Sequence, residues 1–252
     1  VVIHAPPPSA APAAEHPEYS VPGFINEVMS FCLDTATYPN PAMAFCGALS
    51  LLSVLTARRV IGPTGLFTNV YTLALANSGT GKDHPRKINS LILHKVNLDH
   101  RLIDRAASGQ GLEDALFSSP ELLAQVDELD SVLVAINRPF DALSAELASK
   151  YLSLYSAAQH NHTMRLKANE PRRSIAHPHL SIYGTCVPIC FYSNLTPKLL
   201  SNGLIARCFV VESGPRGRGK PPRRLDCPQS IIDVAEYWRD FNPGGGNVGQ
   251  FT

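Results

Sequence analysis

The stretch VYTLALANSGTGKDHPRK, residues 70–87, decides the fold. Residues 70–76 are apolar and begin with a β-branched residue, which predicts a buried strand. Gly79 and Gly81 then punctuate the chain, and a helix is predicted from near Lys82 to about Ala106. Pro85 falls in its first turn, where a missing amide donor costs little. Strand, glycine-rich turn and helix in that order are what a phosphate group needs. Small residues let backbone amides converge on phosphate oxygens, and the helix N-terminus supplies the remaining positive charge. Asn77, Ser78, Gly79, Thr80, Gly81, Lys82 and Asp83 are therefore candidate cofactor-binding residues, with ATP as the expected ligand and Lys82 reaching its β- and γ-phosphates.

Two residues depart from the usual loop. Ala76 stands where its first glycine is common, and Asp83 stands where a Ser or Thr hydroxyl normally meets Mg²⁺. A carboxylate ligates Mg²⁺ directly, which makes Asp83 a candidate metal ligand. It also places negative charge beside the phosphates, so weaker nucleotide binding is the competing expectation.

The second half of such a site needs one acid for the metal and one to orient an attacking water. LLAQVDEL, residues 122–129, is a strand candidate ending in both. Asp127 is the candidate metal acid and Glu128 the candidate catalytic base. Both fall at a strand's carboxyl end, where ligands sit in open parallel sheets. HLSIYGTC, residues 179–186, is predicted to lie between these two strands, with Thr185 near its end. Thr185 either senses the γ-phosphate or is a satisfied core hydroxyl. A fourth strand is predicted over LIARCFVVE, residues 204–212, with Arg207 at its start.

Around this centre the chain reads as three parts. Residues 1–20 are a Pro/Ala-rich linker. Residues 21–60 form a helical N-terminal extension: one helix in GFINEVMSFCLDTAT, the YPNP breaker, and a second helix from about Pro41 to Arg58. Residues 61–252 form the α/β core, with further helices in LEDALFS and PFDALSAELASKYLSLYSAAQ. Strands alternating with helices predict a mainly parallel sheet covered on both faces. The missing initiator Met and the final FNPGGGNVGQFT predict a piece of a longer chain.

Composition is that of an ordinary globular protein: 252 residues, 44% apolar, 17% charged, net charge +1. The longest apolar run, residues 42–57, falls short of the roughly 18–20 residues a membrane span needs, so no membrane partner is expected. The six cysteines contain no Cys-x-x-Cys pair, which argues against structural zinc and for buried, reduced thiols in the cytoplasm. GPRGRGKPPRR, residues 214–224, places Arg216, Arg218, Lys220, Arg223 and Arg224 in one loop. That loop either follows a nucleic-acid backbone or is simply solvated. EPRRS, residues 170–174, adds two arginines in another expected loop, and HNH, residues 160–162, reads as helix-end residues rather than a metal site.

Taken together, PAMAFCGALSLLSVLTARRV, LFTNVYTLALANSGTGKD, GLEDALFSSPELLAQVDELDSVL, HPHLSIYGTCVP and LSNGLIARCFVVE resemble the P-loop ATPase domain of phage- and plasmid-type primase–helicase proteins. The resemblance covers roughly residues 24–245. It implies a RecA-like or AAA+-like P-loop NTPase core that hydrolyses ATP with Mg²⁺ and moves on DNA as a homo-oligomer, in a ring. Lys82 is then the phosphate binder, Asp127 the metal acid, Glu128 the catalytic acid and Arg207 a finger serving a neighbouring subunit. Asp83 departs from the Ser/Thr of most such motors. Two other expectations stay open: a slow nucleotide-dependent switch or assembly protein, and a non-catalytic DNA-binding scaffold with a decayed loop.

Overall fold

A computed structural model describes residues 17–137, 142–168 and 171–242. The linker up to residue 16 and the glycine-rich end from residue 243 lie outside it, as do residues 169–170 and 138–141, the latter including the first three residues of the long predicted helix. The elements, in order, are α1 (Phe24–Thr35), α2 (Pro41–Leu55), β1 (Tyr71–Leu75), α3 (His84–Lys95), β2 (Leu102–Ile103), α4 (Gly109–Ser118) and β3 (Glu121–Val126). There follow α5 (Asp130–Asn137), α6 (Ala142–Ala157), β4 (Asn161–Thr163), β5 (Ser174–Ala176), β6 (His179–Cys186), α7 (Pro188–Ser193), α8 (Pro197–Ser201), β7 (Cys208–Glu212) and α9 (Gln229–Asp240).

Five strands form one sheet in the order β2-β3-β6-β1-β7. Every pairing in it is parallel. The third strand does lie between the first two, as its sequence predicts. Its register sets Thr185 beside Ala74 on one side and Gly184 beside Val126 on the other.

Alternation along β1 divides the core. Ala74 and Ala76 face a cluster built by α1, α2, α3 and α9. Tyr71, Leu73 and Leu75 face a second cluster that includes α4, α6 and the short helices after β6. Successive strand side chains point to opposite faces, so a strand buried on both reads as a continuous apolar run. The expected helical extension supplies much of the first layer: Met43, Leu51, Val54 and Leu55 of α2 are fully buried against the sheet. Asn40 caps α2 by accepting the Met43 amide at 3.2 Å, followed by Pro at the first helical position.

Several boundaries differ from the sequence reading. The helix after the glycine loop ends at Lys95, not near Ala106. Asn97 adopts φ 57°. The Leu98 amide reaches Leu93 O at 2.8 Å and the Asn97 amide reaches His94 O at 3.0 Å, a Schellman stop sealed by the buried Leu93 and Leu98. The released chain adds β2 to the sheet edge. Residues Ile205–Arg207 form a 3₁₀ turn, so the last strand begins at Cys208 rather than residue 204. The second strand ends at Val126, before its acids. HNH does lie just past a helix end, that of α6 at Ala157, but its last two residues join a short strand: Asn161–Thr163 pairs antiparallel with Ser174–Ala176, and Ser174 of EPRRS is therefore a strand residue. All six cysteines are free, and burial pushes the Cys32, Cys46, Cys186 and Cys208 thiols up to about 12. No helix among the described residues is long and apolar enough to cross a membrane.

Candidate functional site at the carboxyl edge of the sheet

The loop between β1 and α3 bends as its composition predicts. Gly79 has φ 75° and Gly81 φ 83°, values that side chains rarely adopt. A Cβ on Gly81 would also lie 2.6 Å from the Tyr38 carbonyl. Inside the loop Thr80 Oγ1 donates to Asn77 O at 2.6 Å, and Asn40 Nδ2 donates to Thr80 O at 3.4 Å. The Tyr183 hydroxyl donates to Lys82 O at 3.3 Å. The loop is thus tied to the α1–α2 connection on one side and to β6 on the other.

The loop opens onto a cleft of about 430 Å³. Ser78, Gly79, Gly81, Lys82 and Asp83 line one wall, Asp127 and Glu128 another, and Ala36, Thr37, Tyr38, His84 and Lys87 the rest. The sequence-predicted loop and acid pair therefore meet at one cavity. His84 Nε2 sits 2.8 Å from Thr35 Oγ1. Burial first, and then Lys87, lower its pKa, which favours the neutral ring. The charges facing the cavity are then Lys82 and Lys87 against Asp83, Asp127 and Glu128.

The register of β3 and β6 fixes the acids. Asp127 Oδ1 accepts the Thr185 hydroxyl at 2.7 Å and the Glu128 amide at 3.0 Å. Thr185 is fully buried, and its hydroxyl is spent on holding Asp127. Of its two expected roles, the satisfied hydroxyl describes this arrangement. Glu128 has φ 52°, a left-handed conformation uncommon for a residue with a side chain, and such outliers cluster at functional sites. The next residue fixes that turn, because the Leu129 amide donates to Thr185 O at 2.8 Å.

Asp83 precedes α3 without capping it, and its side chain is 62% exposed. Arg86, one turn into α3, was not among the expected residues. Its Nη1 lies 3.7 Å from Asp83 Oδ1 and 3.6 Å from Asp127 Oδ2, while Nη2 lies 3.5 Å from Asp104. One cation therefore spans both expected metal ligands. Among the described residues no cluster of three or more His, Cys, Asp or Glu groups is poised for a metal. Mg²⁺ typically takes one or two carboxylates and completes its shell with water and phosphate oxygens, and Asp83 with Asp127 fits that donor set.

Arg207 is not part of this cavity. Cys208 pairs with Tyr71 at the amino end of β1, whereas the glycine loop follows Leu75 at the carboxyl end. Five strand residues at about 3.3 Å each separate them. Arg207 donates to Gly203 O at 3.0 Å and lies over the Tyr155 ring at 5.9 Å. In the basic loop, Arg218, Arg223 and Arg224 are exposed, and the Lys220 amide donates to Thr37 O at 2.8 Å. Arg216 leaves this group: its guanidinium lies 3.9 Å over the Tyr38 ring, next to Gly79. Tyr38 and Asn40 were read only as part of a breaker. Their signal was the cap pattern Asn-Pro before α2, which does not say what the other edge of that turn touches.

Fold and site define an α/β protein whose parallel sheet carries a glycine-rich loop, a lysine and a paired acid turn at its carboxyl edge. No family model matches the chain, and no curated protein matches it in sequence.

Proposed function

We propose that this chain is a P-loop NTPase: an ATP-binding and ATP-hydrolysing module of a DNA replication helicase or primase–helicase, acting on DNA as an oligomer. The observation that carries the NTPase reading is the meeting of the Gly79–Lys82 loop with Asp127 and Glu128 across one cleft. The helicase and DNA assignments rest on the resemblance of the motif order.

In this reading the loop amides, the α3 N-terminus and Lys82 bind the β- and γ-phosphates. Glu128 takes the proton of a water whose oxygen bonds to the γ-phosphorus as the bond to the bridging oxygen breaks, releasing ADP and phosphate. Asp127, oriented by Thr185, and Asp83 hold Mg²⁺, which supplies neutralisation of phosphate charge. Arg207 stands at the far end of β1 from its own loop, and the resemblance assigns it to a neighbouring subunit's nucleotide.

A second reading, a slow nucleotide-dependent switch, is favoured by Arg86, which already occupies the space between Asp83 and Asp127. Steady-state hydrolysis of MgATP, with and without single-stranded DNA, tests both. DNA-stimulated turnover abolished by Lys82→Ala supports the motor. Tight MgATP binding with little turnover supports the switch. A parent protein that neither binds nor hydrolyses MgATP removes the NTPase reading.

A further inference from the structure

The basic loop was expected to follow nucleic acid or to be merely solvated, yet one of its arginines is held against the glycine loop. A Cβ built on Gly79 would lie 3.3 Å from Arg216 Nη1. The same guanidinium stacks on Tyr38, which itself lines the cleft. Cation–ring stacking orients a guanidinium while leaving its N–H edge free for an acceptor. Arg216 is exposed, and among the described residues no carboxylate pairs with it.

Its reach is fixed by the backbone on both sides. The Ser213 amide donates to Leu75 O at 2.8 Å, which extends the β7–β1 pairing to the root of the glycine loop. The Lys220 amide donates to Thr37 O at 2.8 Å. Gly219 packs so closely that a Cβ there would lie 2.7 Å from Tyr38 Cε1. The strap from Ser213 to Lys220 thus holds Tyr38 from one side while the glycine loop holds it from the other. Arg218 lies on the same strap with no such anchor.

We propose that Arg216 is a phosphate ligand of this chain's own nucleotide site, carried to the cleft mouth by the strap and aimed by Tyr38. The ligand class is the polyphosphate of a nucleoside triphosphate, which Arg216 would meet beside Gly79 through its N–H edge. The proposal rests on the NTPase reading of the cleft, and it withdraws Arg216 from the nucleic-acid group.

The test is MgATP titration by calorimetry, alongside oligothymidylate binding by anisotropy. The variants are Arg216→Ala, Arg216→Lys, Tyr38→Phe and Tyr38→Leu, with Lys198→Ala, at an exposed position of α8, as a charge-loss control. Arg216→Ala is expected to raise the MgATP Kd at least tenfold while its melting temperature stays within a degree or two of the parent. Arg216→Lys is expected to recover part of that loss. Tyr38→Phe retains affinity, Tyr38→Leu loses it, and Lys198→Ala changes nothing. MgATP affinity within twofold of the parent in Arg216→Ala overturns the proposal, and a loss of oligothymidylate binding in its place returns Arg216 to a nucleic-acid track. A parent that binds no MgATP overturns the NTPase reading and this proposal together, which separates the two failures.

Discussion

The two ends of the parallel sheet use the same kinds of residue in opposite ways. At the amino end, Glu121 opens β3 and accepts Arg101 at 2.6 Å and Arg59 at 2.9 Å, with side chains 7–13% exposed. Beside it Ser53, Ser181 and His179 form a buried hydrogen-bonded group, and Ser53 donates to Thr68 O at 2.6 Å. At the carboxyl end, Arg86 faces three aspartates at 3.5–3.7 Å, and Asp104 is 88% exposed. Charge-assisted hydrogen bonds close to about 2.7–2.9 Å when they are fully made. The amino end makes its ion pairs at full hydrogen-bond distance, though His179 Nδ1 and Arg59 Nε are buried without partners among the described residues. The carboxyl end leaves Arg86 and its aspartates in looser contact, which suits the ligand site proposed there.

The largest test of this contrast is Glu128→Gln. On the proposed reading of Glu128 as the general base, MgATP turnover should fall about 10²–10⁴-fold while MgATP affinity holds. Single-turnover kinetics beside calorimetry reads both, and undiminished turnover would move the base elsewhere. The second compares the ends directly. Glu121→Ala strands the buried Arg101, whose pKa burial already lowers to about 10, and should cost about 3–5 kcal/mol. Asp104→Ala, at the open end, should stay within about 0.5 kcal/mol. Urea unfolding of the two variants decides it, and equal costs would erase the difference between the ends.

The third is pH-dependent. Burial first, then Arg101, Arg58 and Arg59, lower His179 to about 3. The unfolded chain therefore binds this proton below about pH 6.5 and the folded chain does not. Stability is complete above that pH and falls by up to about 1.4 kcal/mol per unit as the pH drops toward 3. His179→Gln should flatten that part of the acid limb in urea midpoints measured from pH 7 to 4, and an unchanged slope would place the proton elsewhere. The smallest effect is expected from Asp83→Thr, which restores a hydroxyl and relieves one of the carboxylates on Arg86. Mg²⁺-dependent turnover should hold or rise by up to about tenfold, ~1.4 kcal/mol. Loss of nucleotide binding in that variant would instead establish Asp83 as a required metal ligand.

Legibility followed the length scale of each feature. The strands β1, β3 and β6 announced themselves as apolar runs because both faces of each are buried, and the insertion of β6 followed from parallel-sheet logic. The loop and acid pair were legible because their chemistry is contiguous in sequence. The stop after α3 was written in Asn97, but a single left-handed residue inside an apolar-periodic stretch is easily read through, and β2 went with it. Nothing in the sequence sets Arg86 apart from the other charges of α3. Nothing local to GPRGRGKPPRR says that its first arginine crosses to Tyr38, because that contact depends on strand β7 pairing beside β1. The edge to which Arg207 belongs was likewise fixed only by the register of that pairing.

The crossing of α2 and α3 carries one last consequence. A methyl group on Gly47 would come within 2.6 Å of Pro85 Cβ, and Asn89 Nδ2 holds Gly47 O at 3.1 Å. Pro85 stands at the start of the helix that the glycine loop feeds, so α3 is seated on α2 at Gly47 with no clearance. In mechanical terms the crossing has no slack: any side chain at Gly47 would push on Pro85, and so on the start of the helix that the glycine loop feeds.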